Sequence, residues 1–173
     1  MGLIEFRAAA ALIVAAAAMF WDLRTRRIPN ELTFGAAAVA LGYGLIAGGP
    51  WGLLMAAAGW LAGAALFFPI FALGGMGAGD VKLLAALGAW LGPVDAVWLA
   101  IFASISGGVI GAVVALYHGY LRQAGTNIWM MLTHWRAAGL QPVAGLTLRD
   151  AGAPRLAYAV PIAIGVVVTL WRR

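Results

Sequence analysis

Six long apolar runs divide this sequence, and they constrain its fold more than any other feature. Of its 173 residues, 64% are hydrophobic and only 10% are charged, whereas a soluble domain carries about 25% charged residues. A helix needs about 20 apolar residues to cross a bilayer, and a segment in lipid must satisfy its own backbone hydrogen bonds. The sequence therefore predicts an all-α fold, a polytopic membrane protein with a bundle of six transmembrane helices. The runs are residues 3–21, 32–47, 51–73, 81–94, 96–121 and 156–171.

The basic residues predict how this bundle is oriented. The connectors 22–31, 74–82 and 122–155 contain eight of the eleven lysines and arginines. If all six runs span, these connectors share one side, which the positive-inside rule assigns to the cytoplasm. The fourth run is only about 21 Å long as a helix, but a re-entrant fourth run would move four arginines outside. The count therefore favours six spans with both termini outside.

Two further segments bear on the organisation of the chain. The first run resembles a signal peptide in length, but its basic cluster follows it rather than preceding it, and we expect a retained helix.

In the last connector, Ile128, Met131, Leu132 and Trp135 form one apolar helical face. This spacing predicts an interfacial helix over residues 126–140 on the inner leaflet, or alternatively a lid or docking surface for substrate. Residues 1–173 are predicted to form a single membrane-embedded domain.

Composition excludes several classes of function. The chain has no cysteine, which excludes disulfides, zinc–thiolate sites and thiol nucleophiles. Most basic residues lie in short connectors between apolar runs rather than on a soluble basic face, so we expect no nucleic-acid partner.

Ser106 and His118 suggest a serine protease, but they lie about 18 Å apart along one helix. The sequence around Ser106 also lacks a nucleophile-elbow pattern, so helix packing explains the serine better.

Two of the six acidic residues abut apolar helices. Asp22 follows the first run, and Asp80 precedes the fourth. Because odd helices run inward and even helices outward, the predicted topology places both carboxylates at the same membrane face. Ionisable groups at membrane depth are costly and are candidates for function. The alternative is structural, with Asp22 paired to Arg26 and Asp80 capping its helix.

A close pair of carboxylates suits acid–base catalysis. In a poorly hydrated site the two cannot both ionise easily, so they share one proton and titrate as a pair. The ionised member can take a proton from water while the protonated member polarises a peptide carbonyl. The segment before Asp80 contains four glycines within residues 74–79. Glycines at this density are costly in a helix but allow another chain to approach closely.

These residues resemble a known family. The G-x-G-D signature Gly77-Ala78-Gly79-Asp80, followed by Val81-Lys82-Leu83, is similar to that of the intramembrane aspartyl proteases, above all the type IV prepilin peptidases. Asp22 with Arg26-Arg27-Ile28-Pro29-Asn30 resembles the first-aspartate segment of that family, and residues 155–161 resemble its final helix.

The resemblance implies a function and a site. Asp22 and Asp80 would be the catalytic dyad, Gly77 and Gly79 would shape the site, and no metal or other cofactor would be needed. The substrates would be prepilins whose basic leader is removed at the cytoplasmic face of a prokaryotic inner membrane. Because it has no cysteine, the chain resembles the short, peptidase-only branch of the family, which serves Flp-type or Tad-type pili. N-methylation is not expected in that branch. Oligomeric state stays open.

Two neighbouring residues have more than one interpretation. Lys82 either keeps Asp80 ionised or extends to lipid headgroups, whereas Asn30 is predicted to cap the second helix. Two other classes of function also stay open, a small proton-coupled transporter and a non-catalytic assembly scaffold. A relay for transport would usually lie near the bilayer midplane, whereas both aspartates are predicted at one membrane edge.

Overall fold

The computed structural model describes residues 2–143, 145–146 and 156–173, and in these residues the protein is mostly helical. This confirms the predicted all-α class. Arg149, Asp150 and Arg155, which entered the sequence predictions, lie outside the described residues. The helices are α1 (Leu3–Thr25), α2 (Asn30–Ala72), α3 (Ala78–Leu91), α4 (Pro93–Tyr117), α5 (Leu121–Ala138) and α6 (Ala159–Trp171).

Helix α2 is two helices joined by a sharp bend. At 43 residues it would extend about 65 Å if straight, but Gly49 interrupts it with a φ of 61° and a ψ of −154°, immediately before Pro50. Beyond the bend the two halves, 30–48 and 50–72, fold back on each other. A Cβ atom at Gly44 would lie 2.7 Å from the carbonyl oxygen of Gly52. The bend corresponds to the connector predicted at residues 48–50.

Helix α3 is the central element of the core. From Leu83 to Leu91 every residue of α3 is buried. It packs backbone to backbone against the second half of α2, where a Cβ atom on Gly59 or on Gly88 would collide with the carbonyl group of the other. Small residues at such crossings let helices approach closely when lipid supplies no hydrophobic driving force. This close packing fixes the start of α3, where Asp80 lies, relative to α2.

The outer surface of the bundle is apolar, as expected for a membrane-integral protein. Large side chains such as Ile46, Val109 and Val113 are more than half exposed, and an apolar surface of this extent requires a non-aqueous neighbour. Among the described residues, three helices are long and apolar enough to cross a bilayer, namely α1, α2 and α4. Helices α3 and α6, with 14 and 13 residues, are shorter. A membrane protein is thus supported, and the count of six spans stays a prediction.

Helix α5 lies at the edge of the bundle and has no buried residue. It begins before the helix predicted at 126–140 and ends two residues earlier. Met131 and Trp135, from the predicted apolar face, line a groove shared with Ile70, Leu73 and Gly75. The groove therefore adjoins the glycine-rich connector between α2 and α3. On the same helix, Ile128 and Leu132 stay exposed.

Candidate active site

Asp22 lies in the last turn of α1, where an alanine-rich apolar helix reaches the basic connector. Its side chain is only 7% exposed. The backbone N–H of Ala159, the first residue of α6, donates to its Oδ2 atom at 3.2 Å. The unpaired N–H groups and the dipole of a helix N-terminus both favour a carboxylate at this position. The start of α6 therefore holds Asp22 in place.

Asp80 lies in the first turn of α3, three residues after the N-cap Gly77. Its carboxylate is hydrogen-bonded by the backbone of Gly77, as in the side-chain half of a capping box. A Cβ atom at Gly77 would lie 3.0 Å from Oδ2 of Asp80, so the glycine gives the carboxylate its room. Asp80 is half-buried.

The structure brings the two aspartates together at one end of the bundle. Asp80 lies close enough to Asp22 for the two carboxylates to interact electrostatically. The segments that carry them also touch, because a Cβ atom at Gly79 would lie 3.3 Å from Cβ of Ile28 in the connector after α1. Each carboxylate thus accepts a backbone N–H at a helix start, which fixes the positions of the two groups at this end of the bundle.

A bridge between the two segments involves Lys82 and Asn30. The ammonium group of Lys82 donates to Oδ1 of Asn30 at 2.9 Å and lies 5.1 Å from the ring centre of Phe34. The prediction that Asn30 caps α2 is wrong, because Pro29 is the N-cap residue and makes no side-chain cap. The side-chain carbonyl of Asn30 instead accepts from Lys82. This contact ties the start of α2 to α3 beside Asp80.

Sequence reasoning missed the contribution of α6 to the site. Ala159 acts through its backbone N–H, for which the sequence carries no side-chain signal. Tyr158 precedes it and lies within electrostatic reach of Asp80. The only signal was the family resemblance of residues 155–161, and it assigned no role to either residue.

The geometry of Ser106 and His118 does not support the alternative of a serine protease. The hydroxyl of Ser106 donates to the carbonyl of Phe102 at 2.6 Å and lies 3.1 Å from the carbonyl of Pro161 in α6. His118 is exposed at the end of α4, with a ring nitrogen 2.9 Å from the carbonyl of Val114 in its own helix. Ser106 therefore joins two helices, as predicted for helix packing.

Fold and site together define a helical membrane-integral protein with paired carboxylates at one end of its bundle. Residues 9–115 match the type IV leader peptidase family, which is more than half of the 173 residues and includes Asp22 and Asp80. The chain belongs to this family and is a peptidase. The family predicted from the two aspartate segments is thereby confirmed. Neither curated proteins nor solved structures gave a match.

Proposed function

We propose that this protein is an intramembrane aspartic endopeptidase that removes the basic leader of type IV, Flp-like prepilins at the cytoplasmic membrane face. One observation carries the proposal, the convergence of Asp22 and Asp80 from distant segments. Both are at least half-buried, and each accepts a bond from a backbone N–H. Such a pair can hold one proton between its members, which is the requirement of an aspartic protease.

The reaction needs only water and these two groups. The ionised carboxylate takes a proton from water as its oxygen attacks the carbonyl carbon of the scissile peptide. The protonated carboxyl gives its proton to the carbonyl oxygen, forming a neutral tetrahedral diol. The C–N bond then breaks as the nitrogen takes one proton from the dyad. A hydroxyl of the diol returns one proton to the dyad, which again holds the single proton with which it began. One water is consumed and no oxidant or reductant is required.

The glycine-rich connector supplies access for the substrate. Residues 73–77 are not helical, and Gly74 adopts a φ of 77°, a left-handed conformation that favours glycine. Gly75 is exposed, so a second backbone can approach there without meeting a large side chain. A prepilin could lay its apolar helix along the bundle and present the unwound leader–helix junction to the dyad at this point.

The cytoplasmic location and the substrate class rest on separate arguments. The basic residues beside the dyad, which include Arg24, Arg27 and Lys82, mark this end of the bundle as cytoplasmic by the positive-inside rule. The basic leader of a prepilin stays on that same side, so its junction lies at the level of the dyad. The choice of Flp-like precursors follows the resemblance to the short peptidase-only branch.

The test is cleavage by wild type and by two single variants, Asp22→Asn and Asp80→Asn. The protein is co-expressed with a Flp-type precursor, and leader removal is read by mass spectrometry, which also detects any N-methylation. Both variants should insert into the membrane but leave the precursor intact. The matched control is Glu31→Gln, because Glu31 is an exposed carboxylate near the same end of the bundle, and it should cleave normally.

The same experiment separates the other classes of function. Normal cleavage by either aspartate variant would refute the dyad. A transporter would be favoured by two results together: wild type leaves the precursor uncut, and it conducts protons in liposomes unless Asp22 or Asp80 is substituted. Pilus assembly that survives loss of both carboxylates would favour a scaffold.

A further inference from the structure

An apolar groove lies between α5 and the end of α2, and we call it the α5 groove. Its walls come from the end of α2 with the connector after it and from α5 with the segment after it, and they include Ile70, Leu73, Gly75, Met131, Trp135 and Val143. The groove has a volume of about 120 Å³, and an engineered cavity of about 150 Å³ holds a benzene molecule. It therefore has room for one large apolar side chain.

The α5 groove begins next to the proposed dyad. Two Cα–Cα steps separate Gly75, in the wall of the groove, from Gly77, and a Cβ atom at Gly77 would lie 3.0 Å from Oδ2 of Asp80. At about 3.8 Å per step, the Cα atom of Gly75 is at most about 12 Å from that carboxylate oxygen. An extended peptide advances about 3.3 to 3.6 Å per residue. A substrate whose scissile bond lies at the dyad therefore reaches the groove with the third or fourth residue from that bond.

The charges around the groove determine which half of the substrate enters it. Among the described residues that line it, none carries a charge. Arg136 follows Trp135, and residues 96–149 contain no acidic side chain that would attract a basic leader. A cationic side chain would lose its hydration in such a groove without gaining a partner. The apolar segment on the other side of the scissile bond would instead bury its side chains against apolar walls.

We propose that the α5 groove is a specificity subsite of the peptidase, which binds the apolar side chain of the third or fourth residue after the scissile bond of a pilin-like precursor. The inference rests on the proposed function, because a subsite needs a cleavage site beside it. It adds a preference for one kind of side chain at a defined distance from the dyad. Helix α5 has no buried residue, so the wall that it forms can adjust to the bound side chain.

The first measurement is steady-state cleavage of prepilin-derived peptides by the full chain in detergent micelles. Two peptide series carry leucine, alanine or aspartate, one at the third and one at the fourth residue after the scissile bond. In one series alanine should lower kcat/KM about tenfold and aspartate should lower it further. Most of the change should be in KM, because the side chain is bound in the ground state and in the transition state alike. Leucine to alanine at the third residue before the scissile bond should change kcat/KM less than about twofold.

A pair of methionine variants tests whether the groove itself makes this choice. Met131 lines the groove, whereas Met130, beside it on α5, is half exposed and lies outside the lining. Met131→Ala enlarges the groove, which should favour a larger substrate side chain. The ratio of kcat/KM for a tryptophan peptide to that for the leucine peptide should therefore rise at least about fivefold over wild type. Met130→Ala should keep the wild-type ratio.

A pair of isoleucine variants approaches the groove from α2. Ile70 lines the groove, whereas Ile46, in the first half of α2, is 88% exposed and lies outside the lining. Ile70→Ala should raise the same ratio, and Ile46→Ala should leave it unchanged. If Met131→Ala does not yield a monodisperse protein, this pair decides the question by the same criterion.

The outcomes separate the subsite from the function on which it rests. A purely structural role of the groove would change the rates for all peptides by the same factor. Unchanged ratios in Met131→Ala and Ile70→Ala, with Asp22→Asn and Asp80→Asn inactive, would overturn the subsite and leave the dyad standing. Equal cleavage of the leucine, alanine and aspartate peptides by wild type would also overturn it, and would point to a lipid tail or a second copy of the chain as the occupant. Cleavage by either aspartate variant would instead overturn the dyad.

Discussion

The two ends of the bundle hold their carboxylates in opposite ways. Asp95, at the start of α4, forms ion pairs with Arg172, at 2.8 Å, and with Arg173 at the end of α6. Asp22 and Asp80, at the other end, each accept from a backbone N–H. Two guanidinium groups compensate the charge of Asp95, whereas at the other end two carboxylates lie near each other and are held by neutral amide donors. The difference separates a structural acid from acids suited to catalysis.

Helix α6 belongs to both ends, which is why the comparison can be tested. Its first N–H holds Asp22, and the residues after its last turn hold Asp95. A loss of activity that arises from general loosening of α6 should follow from damage at either end. A loss that arises from chemistry should follow only from damage at the end with the paired carboxylates.

The largest effect is expected from removing either of the paired carboxylates. Each of Asp22→Asn and Asp80→Asn should lower kcat/KM by at least about 100-fold, the lower end for loss of a general acid or base. The double variant should be no slower than the worse single one, because groups that act as a unit are strongly non-additive. Single-turnover cleavage of a prepilin peptide measures all three. Losses that multiply would contradict a shared-proton pair.

The same end of the bundle shows how far the sequence predicts the structure. The apolar runs predicted the helices closely, including the break at residues 48–50, because lipid exposure forces helical hydrogen bonding on any apolar segment of sufficient length. The observed helix boundaries differ from the predicted ones where local capping determines the end of a helix. Helix α3 begins at Ala78 instead of Val81 and ends at Leu91, because Gly92 has a φ of 89° and Pro93 begins the next helix.

The site was predictable only where side chains carry its chemistry. Asp22 and Asp80 stand out because carboxylates are rare beside apolar helices. The N–H of Ala159 has no residue-type signal, and its distance in sequence from Asp22 hides the contact. Lys82 was expected near Asp80 or the headgroups but bonds Asn30, because partner choice depends on the tertiary approach of α2 to α3. Backbone donors and long-range pairs therefore needed the structure.

A smaller effect is expected from crowding one carboxylate without removing it. Gly77 has a φ of −78° and a ψ of 147°, which alanine adopts without strain. Gly77→Ala should therefore preserve the fold while its new methyl group, 3.0 Å from Oδ2 of Asp80, displaces that carboxylate. We expect kcat to fall about tenfold, on the order of 1.4 kcal/mol in barrier height.

The control for this variant is Gly42→Ala, because a Cβ atom at Gly42 meets nothing within 4 Å. Cleavage rates of both variants are compared at saturating peptide. Activity of Gly77→Ala equal to that of Gly42→Ala would show that the position of Asp80 tolerates the shift, and would weaken the contrast between the two ends.

A modest effect is expected from the bridge between the two aspartate segments. Lys82→Met and Asn30→Ala each break the 2.9 Å bond, and the double variant should cost no more than either single one. An exposed hydrogen bond of this kind contributes about 1 kcal/mol, which corresponds to a rate change of about fivefold, and we expect cleavage to slow by about that factor in each variant. A double-variant cycle on kcat/KM measures the coupling. Fully additive losses would mean that Lys82 and Asn30 act separately.

The smallest effect on cleavage, and the sharpest test of the comparison, comes from the opposite end. Asp95→Asn removes the charge that pairs with Arg172 and Arg173, whose side chains are 37% and 28% exposed. Partly exposed ion pairs stabilise a fold by at most about 1 kcal/mol and are screened by salt. The variant should therefore unfold slightly earlier than wild type in low salt, with the gap narrowing as ionic strength rises, while kcat/KM stays within about twofold. A large loss of activity here would mean that the proposed dyad depends on the placement of the whole of α6, and the contrast between a structural and a catalytic carboxylate would fail.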